Sequence, residues 1–159
     1  MEVVASPQVG QTAPEFALKG PGGQVIRLSD YVGHRNVVLV FFPLAFSPVC
    51  SHQLPLIQKE LESLRRLNAE VLGISVDSHY TNTAFARSLG LVFPLLSDFH
   101  HMASQAYGVY DPERRYSRRV VFVIDKQGSI VHRDETPPGG GIDDIPRIDS
   151  IVDALKRLS

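Results

Sequence analysis

One cysteine stands in the chain, Cys50, and the residues before it lend it a chemistry. The segment Phe41-Phe42-Pro43-Leu44-Ala45-Phe46-Ser47-Pro48-Val49-Cys50 follows an apolar run and precedes a stretch of helical spacing. Such strand-to-helix junctions are where α/β proteins commonly place their sites. With Ser47 as N-cap, Pro48 takes the first helical position, where its missing N–H is not needed, and Cys50 takes the third. Unpaired first-turn amides and the positive end of the helix dipole there stabilise a thiolate over a thiol. The thiolate is the nucleophilic and redox-active form. The plain alternative is that Ser47 and Pro48 merely start a helix while Cys50 faces the core as a small apolar residue.

A lone cysteine excludes an intramolecular disulfide, a CxxC redox carrier and a four-cysteine zinc site. Cys50-x-His52 is half a metal motif, and His100-His101 adds two more nitrogens, but no acidic or further sulfur ligands cluster with them. They are read as surface or cap histidines, and no metal is expected. With 16 Lys+Arg against 17 Asp+Glu, the net charge of −1 leaves no footprint for a phosphate backbone, so nucleic acid is not an expected partner. The basic run Arg114–Arg119 reads as a solvated turn. Hydrophobic residues at 43% and charged residues at 21% describe a globular chain. Its longest apolar run, Val37–Phe46, contains Pro43 and falls short of the ~20 residues that span a bilayer. The opening MEVVASPQVGQ lacks the basic and apolar regions of a secretory leader, so a cytoplasmic protein without membrane attachment is expected. A length of 159 residues fits one domain, 1–159.

Around the cysteine, the pattern alternates strands and helices. Phe16–Leu18 and Gln24–Leu28 flank Gly20-Pro21-Gly22-Gly23 as an N-terminal hairpin, and Asn36–Phe42 reads as a central strand buried on both faces. Leu54, Ile57, Leu61, Leu64 and Leu67 form one helical stripe after Ser47-Pro48. Val71–Val76 is the next strand, followed by a helix that Gly90 caps, a short strand Phe93–Leu96 and a short helix Met102–Tyr107. Arg119–Ile124 and Ser129–Arg133 bracket a second hairpin turn at Asp125–Gly128, Pro137–Gly141 reads as a mobile loop, and Ile145, Ile148, Val152 and Leu155 mark a last helix. This order predicts an α/β fold, a central mixed sheet flanked by helices with an N-terminal β-hairpin.

Pro43, Ser47 and Cys50 match the signature Pro-x-x-x-(Thr/Ser)-x-x-Cys, and the chain thereby resembles the peroxiredoxins, the alkyl hydroperoxide reductase/thiol-specific antioxidant family. The segments VVLVFFPLAFSPVC, VFPLLSDF, SQAYGVY and RVVFVID resemble further blocks of that family in the same order, nearest to its one-cysteine alkyl hydroperoxide reductase E type. The resemblance runs from about Val9 to the last helix and implies a thioredoxin-like fold. It implies that Cys50 attacks a hydroperoxide and becomes a sulfenic acid, and that the Ser47 hydroxyl binds the peroxide and steadies the thiolate. It further implies that Pro43 shields the sulfur from water and that Arg119 pairs with thiolate and peroxide. Arg118 is the neighbouring candidate; successive strand residues face opposite sides, so only one of the two can reach Cys50.

Two substitutions depart from the family pattern. Serine at 47 keeps the hydroxyl but loses the methyl that restricts χ1. Gln53 stands where many relatives carry glutamate, and an amide holds hydrogen bonds without supplying charge. The position of a resolving cysteine on the same helix is Pro55, and a proline there predicts a kink by removing a bond to the Ser51 carbonyl. The expected activity is a one-cysteine peroxidase that reduces hydrogen peroxide and organic hydroperoxides, recycled by an external thiol or redoxin. It needs no cofactor, because the cysteine carries the two-electron chemistry. The family implies a homodimer with the loop around Phe46 near the interface. The competing reading is a non-enzymatic peroxide sensor or chaperone switched by Cys50 oxidation. Tyr107, Tyr110 and Tyr116 are assigned to packing or dimer contacts.

Overall fold

A computed structural model describes residues 6–137 and 140–158. In chain order it has β1 (Ala17–Lys19), β2 (Val25–Arg27), β3 (Asn36–Phe41), α1 (Pro48–Lys59), α2 (Leu61–Arg66), β4 (Ala69–Ser75) and α3 (His79–Leu89). There follow β5 (Leu95–Ser97), α4 (Met102–Ala106), β6 (Tyr110–Asp111), β7 (Tyr116–Ser117), β8 (Val120–Ile124), β9 (Ile130–Glu135) and α5 (Ile148–Lys156).

Among the described residues, seven strands form one sheet in the order β2-β1-β5-β4-β3-β8-β9. The centre is parallel, β3 beside β4 and β4 beside β5, and the flanks are antiparallel. This is the mixed, thioredoxin-like sheet the sequence predicts, with β1 and β2 as the N-terminal hairpin. All six residues of β3 are buried, as a strand covered on both faces requires. Val38, Val40 and Phe42 pack on one face with Cys50, Leu54 and Ile57 of α1, Leu61 and Leu64 of α2, Phe85 of α3 and Ile151 and Leu155 of α5. Val37, Leu39 and Phe41 pack on the other with Ala103, Tyr107 and Phe122. At about 1.5–3 kcal/mol for each fully buried large apolar side chain, these two layers hold the sheet and hence the site.

The turns follow their chemistry. Gly90 ends α3 in the left-handed conformation, φ 67°, as its place in the sequence predicts. Asp125 Oδ1 accepts from the amides of Gln127 and Ser129, both at 2.9 Å, and ties off the β8–β9 hairpin.

Elsewhere the structure corrects the sequence. The stripe Leu54–Leu67 is two helices, broken at Glu60 (φ −98°, ψ 2°), while α1 runs unbroken through Pro55. Pro55 has no amide to donate to the Ser51 carbonyl, yet the helix continues past it to Lys59. The strand expected at Phe93–Leu96 lies at Leu95–Ser97, since Pro94 has no amide to give and serves the sheet only through its carbonyl, which accepts from Gly73 N at 3.1 Å. Pro146 displaces the start of the last helix, so Ile145 lies outside it. The two-residue strands β6 and β7 are too short for any alternation to announce them. The loop expected over Pro137–Gly141 falls partly outside the described residues, at 138 and 139, as does the leader reading at residues 1–5.

Candidate active site

Helix α1 begins as its sequence dictates. Ser47 is the N-cap with extended backbone (φ −71°, ψ 152°), Pro48 is the first helical residue, and Ser51 N donates to Ser47 O at 2.9 Å. Cys50 therefore lies in the first turn, among amides that have no intrahelical acceptor. Its side chain points inward and is fully buried.

Beside the sulfur lies Arg119. Its Nη2 donates to Cys50 Sγ at 3.1 Å, and its Nη1 donates to Gln53 Oε1 at 2.5 Å. Arg119 is 8% exposed, and among the described residues no carboxylate pairs with it. The Cys50 sulfur and the Gln53 amide oxygen serve as acceptors for this buried cation. Sheet register explains the choice between neighbours. Val120 and Phe122 face the Tyr107 layer, whereas Val121 and Val123 face the α1 layer, so Arg119 reaches the α1 face and Arg118 the opposite one. Arg118 accordingly pairs with Glu135 (Nε–Oε2, 2.8 Å) and donates to the Gly108 carbonyl at 3.0 Å.

Gln53, one turn below Cys50 and 1% exposed, orients the arginine through its amide oxygen, and its Nε2 is buried with no partner among the described residues. The nitrogen cannot take the oxygen's place, because the guanidinium offers only donors. Ser47 departs from the expectation. Its hydroxyl makes no cap bond and donates to the Leu44 carbonyl at 2.9 Å. With its one proton committed there, the oxygen presents lone pairs, so in this rotamer it accepts hydrogen bonds. Pro43 lies two residues beyond the end of β3 and is half-buried. The structure thus brings Cys50, Arg119 and Gln53 into contact and keeps Ser47 and Pro43 on the adjoining loop.

Residues 9–133 match the family model described as the AhpC/TSA family. The chain belongs to that family. Among AhpC/TSA relatives, alkyl hydroperoxide reductase E of Mycobacterium tuberculosis is 40% identical over 133 residues, 82% of this chain and 87% of that protein. A chloroplastic 2-Cys peroxiredoxin of Hordeum vulgare is 37% identical over 136 residues, 79% of this chain and 65% of its own length. The crystal structure of a reduced 2-Cys peroxiredoxin from Plasmodium vivax superposes with a TM-score of 0.82 at 27% identity, covering 96% of this chain and 82% of that one.

Two features of this AhpC/TSA site escape the sequence. One is the direct Gln53–Arg119 contact, where the sequence flags only the amide. The other is Asp77, whose Oδ2 accepts from Ala45 N at 2.7 Å and so touches the loop that carries Ser47. A polar residue just past the carboxyl end of a central strand is the signal that points to it. Tyr107 is core: fully buried, its hydroxyl donates to Pro14 O at 2.6 Å, and burial pushes its phenol far up. Tyr110 stacks on His101, ring centroids 4.7 Å apart. Among the described residues, no group of three His, Cys, Asp or Glu side chains is placed to hold a metal ion.

Proposed function

We propose that the chain is a thiol-dependent peroxidase in which Cys50 attacks a hydroperoxide, with Arg119, Ser47 and Pro43 assisting. The observation that carries this reading is the 3.1 Å contact of a buried arginine with the lone cysteine. The thiolate attacks the terminal peroxide oxygen, the O–O bond breaks, and the leaving oxygen takes a proton to become water or an alcohol, leaving Cys50 as a sulfenic acid. Negative charge moves from sulfur to the leaving oxygen during that displacement. A fixed guanidinium beside the sulfur and free first-turn amides serve both ends of it without reorganising water. The Ser47 oxygen, in its present rotamer, accepts from the peroxide O–H. Pro43 shields the sulfur's surroundings.

One external thiol then displaces water from the sulfenic acid to form a mixed disulfide, and a second releases Cys50 as a thiol and leaves as the oxidised disulfide. A small thiol or a redoxin in the cytoplasm fills that role, because the sequence holds no second cysteine. Among the described residues, no helix is long and apolar enough to cross a membrane. In this reading residues 1–159 act as one domain and pair as a homodimer over the exposed Phe46, which leans on Phe85 with ring centroids 4.9 Å apart.

The test is turnover with and without thiol. Without thiol, about one peroxide per chain should be consumed, with Cys50 recovered as sulfenic or, in excess peroxide, sulfinic acid by intact mass. Added thiol should sustain turnover. A protein that reacts once and then stalls despite added thiol would be a sensor instead. A dominant Cys50–Cys50 crosslink between chains that regenerates in turnover would replace the external thiol with a resolving subunit.

A further inference from the structure

The loop between β3 and α1 is strained and needs a tether. Phe46 adopts φ 66°, a left-handed backbone that a bulky side chain takes only under constraint. Ser47, the next residue, sets its hydroxyl by donating to Leu44, within the same loop. Nothing in that local bond fixes the loop against the sheet. Phe46 leans on Phe85 and Ala45 packs on the core, but neither apolar contact fixes a backbone direction. Asp77 supplies a directional bond from outside, its Oδ2 receiving the Ala45 amide at 2.7 Å from 32 residues away.

Asp77 is itself held on several sides. The Ser75 hydroxyl lies 2.8 Å from the same Oδ2 and 3.0 Å from Asn82 Oδ1. It has one proton, and the carboxylate is the stronger acceptor. Asn82 cannot turn to compete, because its Nδ2 donates to the Leu96 carbonyl at 3.2 Å. Asp77 N donates to Ser75 Oγ at 3.3 Å, and Asp77 O accepts from Ser97 Oγ at 2.7 Å. Helix α3, with Ser78 as its N-cap, starts immediately afterwards. The carboxylate thus projects from a braced corner at the ends of β4 and β5 onto the loop of the active site.

We infer that Asp77 is a positioning residue for the peroxide reaction: its carboxylate oxygen holds the Ala45 amide and thereby keeps the Ser47 hydroxyl in register with Cys50 and Arg119. It touches neither peroxide nor sulfur. The inference rests on the peroxidase reading above. It predicts a selective effect, since the Ser47 hydroxyl matters to a peroxide and not to an alkylating agent, which needs only the thiolate. Asparagine retains an acceptor oxygen in the same place and should substitute for the acid; alanine offers none.

The experiment uses the full chain and hydrogen peroxide, measuring the peroxide rate constant by competition and the Cys50 alkylation rate with iodoacetamide by mass. Asp77→Ala should slow the peroxide reaction at least tenfold and change alkylation less than threefold. Asp77→Asn should stay within threefold of the wild type in both. In a Ser47→Ala background, Asp77→Ala should slow the peroxide step less than threefold further, because the group it positions is already gone. An equal fall in both rates for Asp77→Ala, no fall, a failure of asparagine to rescue, or full additivity with Ser47→Ala would each overturn the inference. Should Asp77→Ala not fold, the asparagine variant and its cycle with Ser47→Ala still decide: asparagine slowing peroxide tenfold overturns it. The peroxidase reading fails separately, through a wild-type protein that consumes no peroxide or a Ser47→Ala variant as fast as wild type.

Discussion

Replacing Arg119 with alanine removes a cation that touches Cys50. At 3.1 Å and an effective dielectric of about 20, a unit charge on each partner interacts by about 5 kcal/mol before desolvation is subtracted. Keeping the guanidinium buried offsets part of that, and loss of a comparable fixed donor in other active sites costs about 3–4 kcal/mol. The net loss expected for Arg119→Ala is therefore about 2–4 kcal/mol, or roughly 30- to 1,000-fold in the peroxide rate constant. The same change strips Gln53 Oε1 of its donor while Gln53 Nε2 has no partner among the described residues, so stability should fall by about 1–3 kcal/mol as well. Arg119→Lys keeps a charge but has no planar fork to serve sulfur and amide together, and should fall between the two, roughly tenfold slower. Arg118→Ala removes an ion pair to Glu135 on the other face of the sheet and should alter the rate less than twofold. Peroxide competition kinetics on the three variants, with thermal melts to confirm folding, provide the readout. An Arg119→Ala protein within threefold of wild type, or an Arg118→Ala protein as slow as Arg119→Ala, would refute the argument.

Two further outcomes test the core rather than the chemistry. Tyr107→Phe keeps the ring between Phe16, Phe41 and Phe122 but leaves Pro14 O without its donor, so about 1 kcal/mol of stability and a 2–4 °C drop in Tm are expected, with the peroxide rate unchanged; a slowed rate would give Tyr107 a part in catalysis. Burial, with Arg157 adding to it and Asp134 opposing, holds the His132 imidazole below its ordinary range. The unfolded chain therefore takes up the proton first on acidification, and stability should decline as pH falls through about 6.5. His132→Leu should flatten that slope between pH 7 and 5 in urea titrations, and an unchanged slope would discard the assignment.

What local pattern encodes, the sequence by itself determined. The continuous apolar run of β3, the Ser47-Pro48 start of α1, the cap at Gly90 and the lone Cys50 in a first helical turn all depend on neighbours within a few residues. The period of two along a strand even separates Arg118 from Arg119, although it cannot say which of them faces Cys50; only the resemblance and then the packing of α1 on the Val121 face do that. The tertiary structure alone decided the partners. Arg119 meets Cys50 across 69 residues and Gln53 across 66, and Asp77 meets Ala45 across 32, because β3 lies between β4 and β8 in the sheet. It also turned the Ser47 hydroxyl to Leu44 and divided the Leu54–Leu67 stripe into two helices at Glu60. Strand order and side-chain rotamers are settled by burial of the whole core at once, and no window of consecutive residues contains that sum.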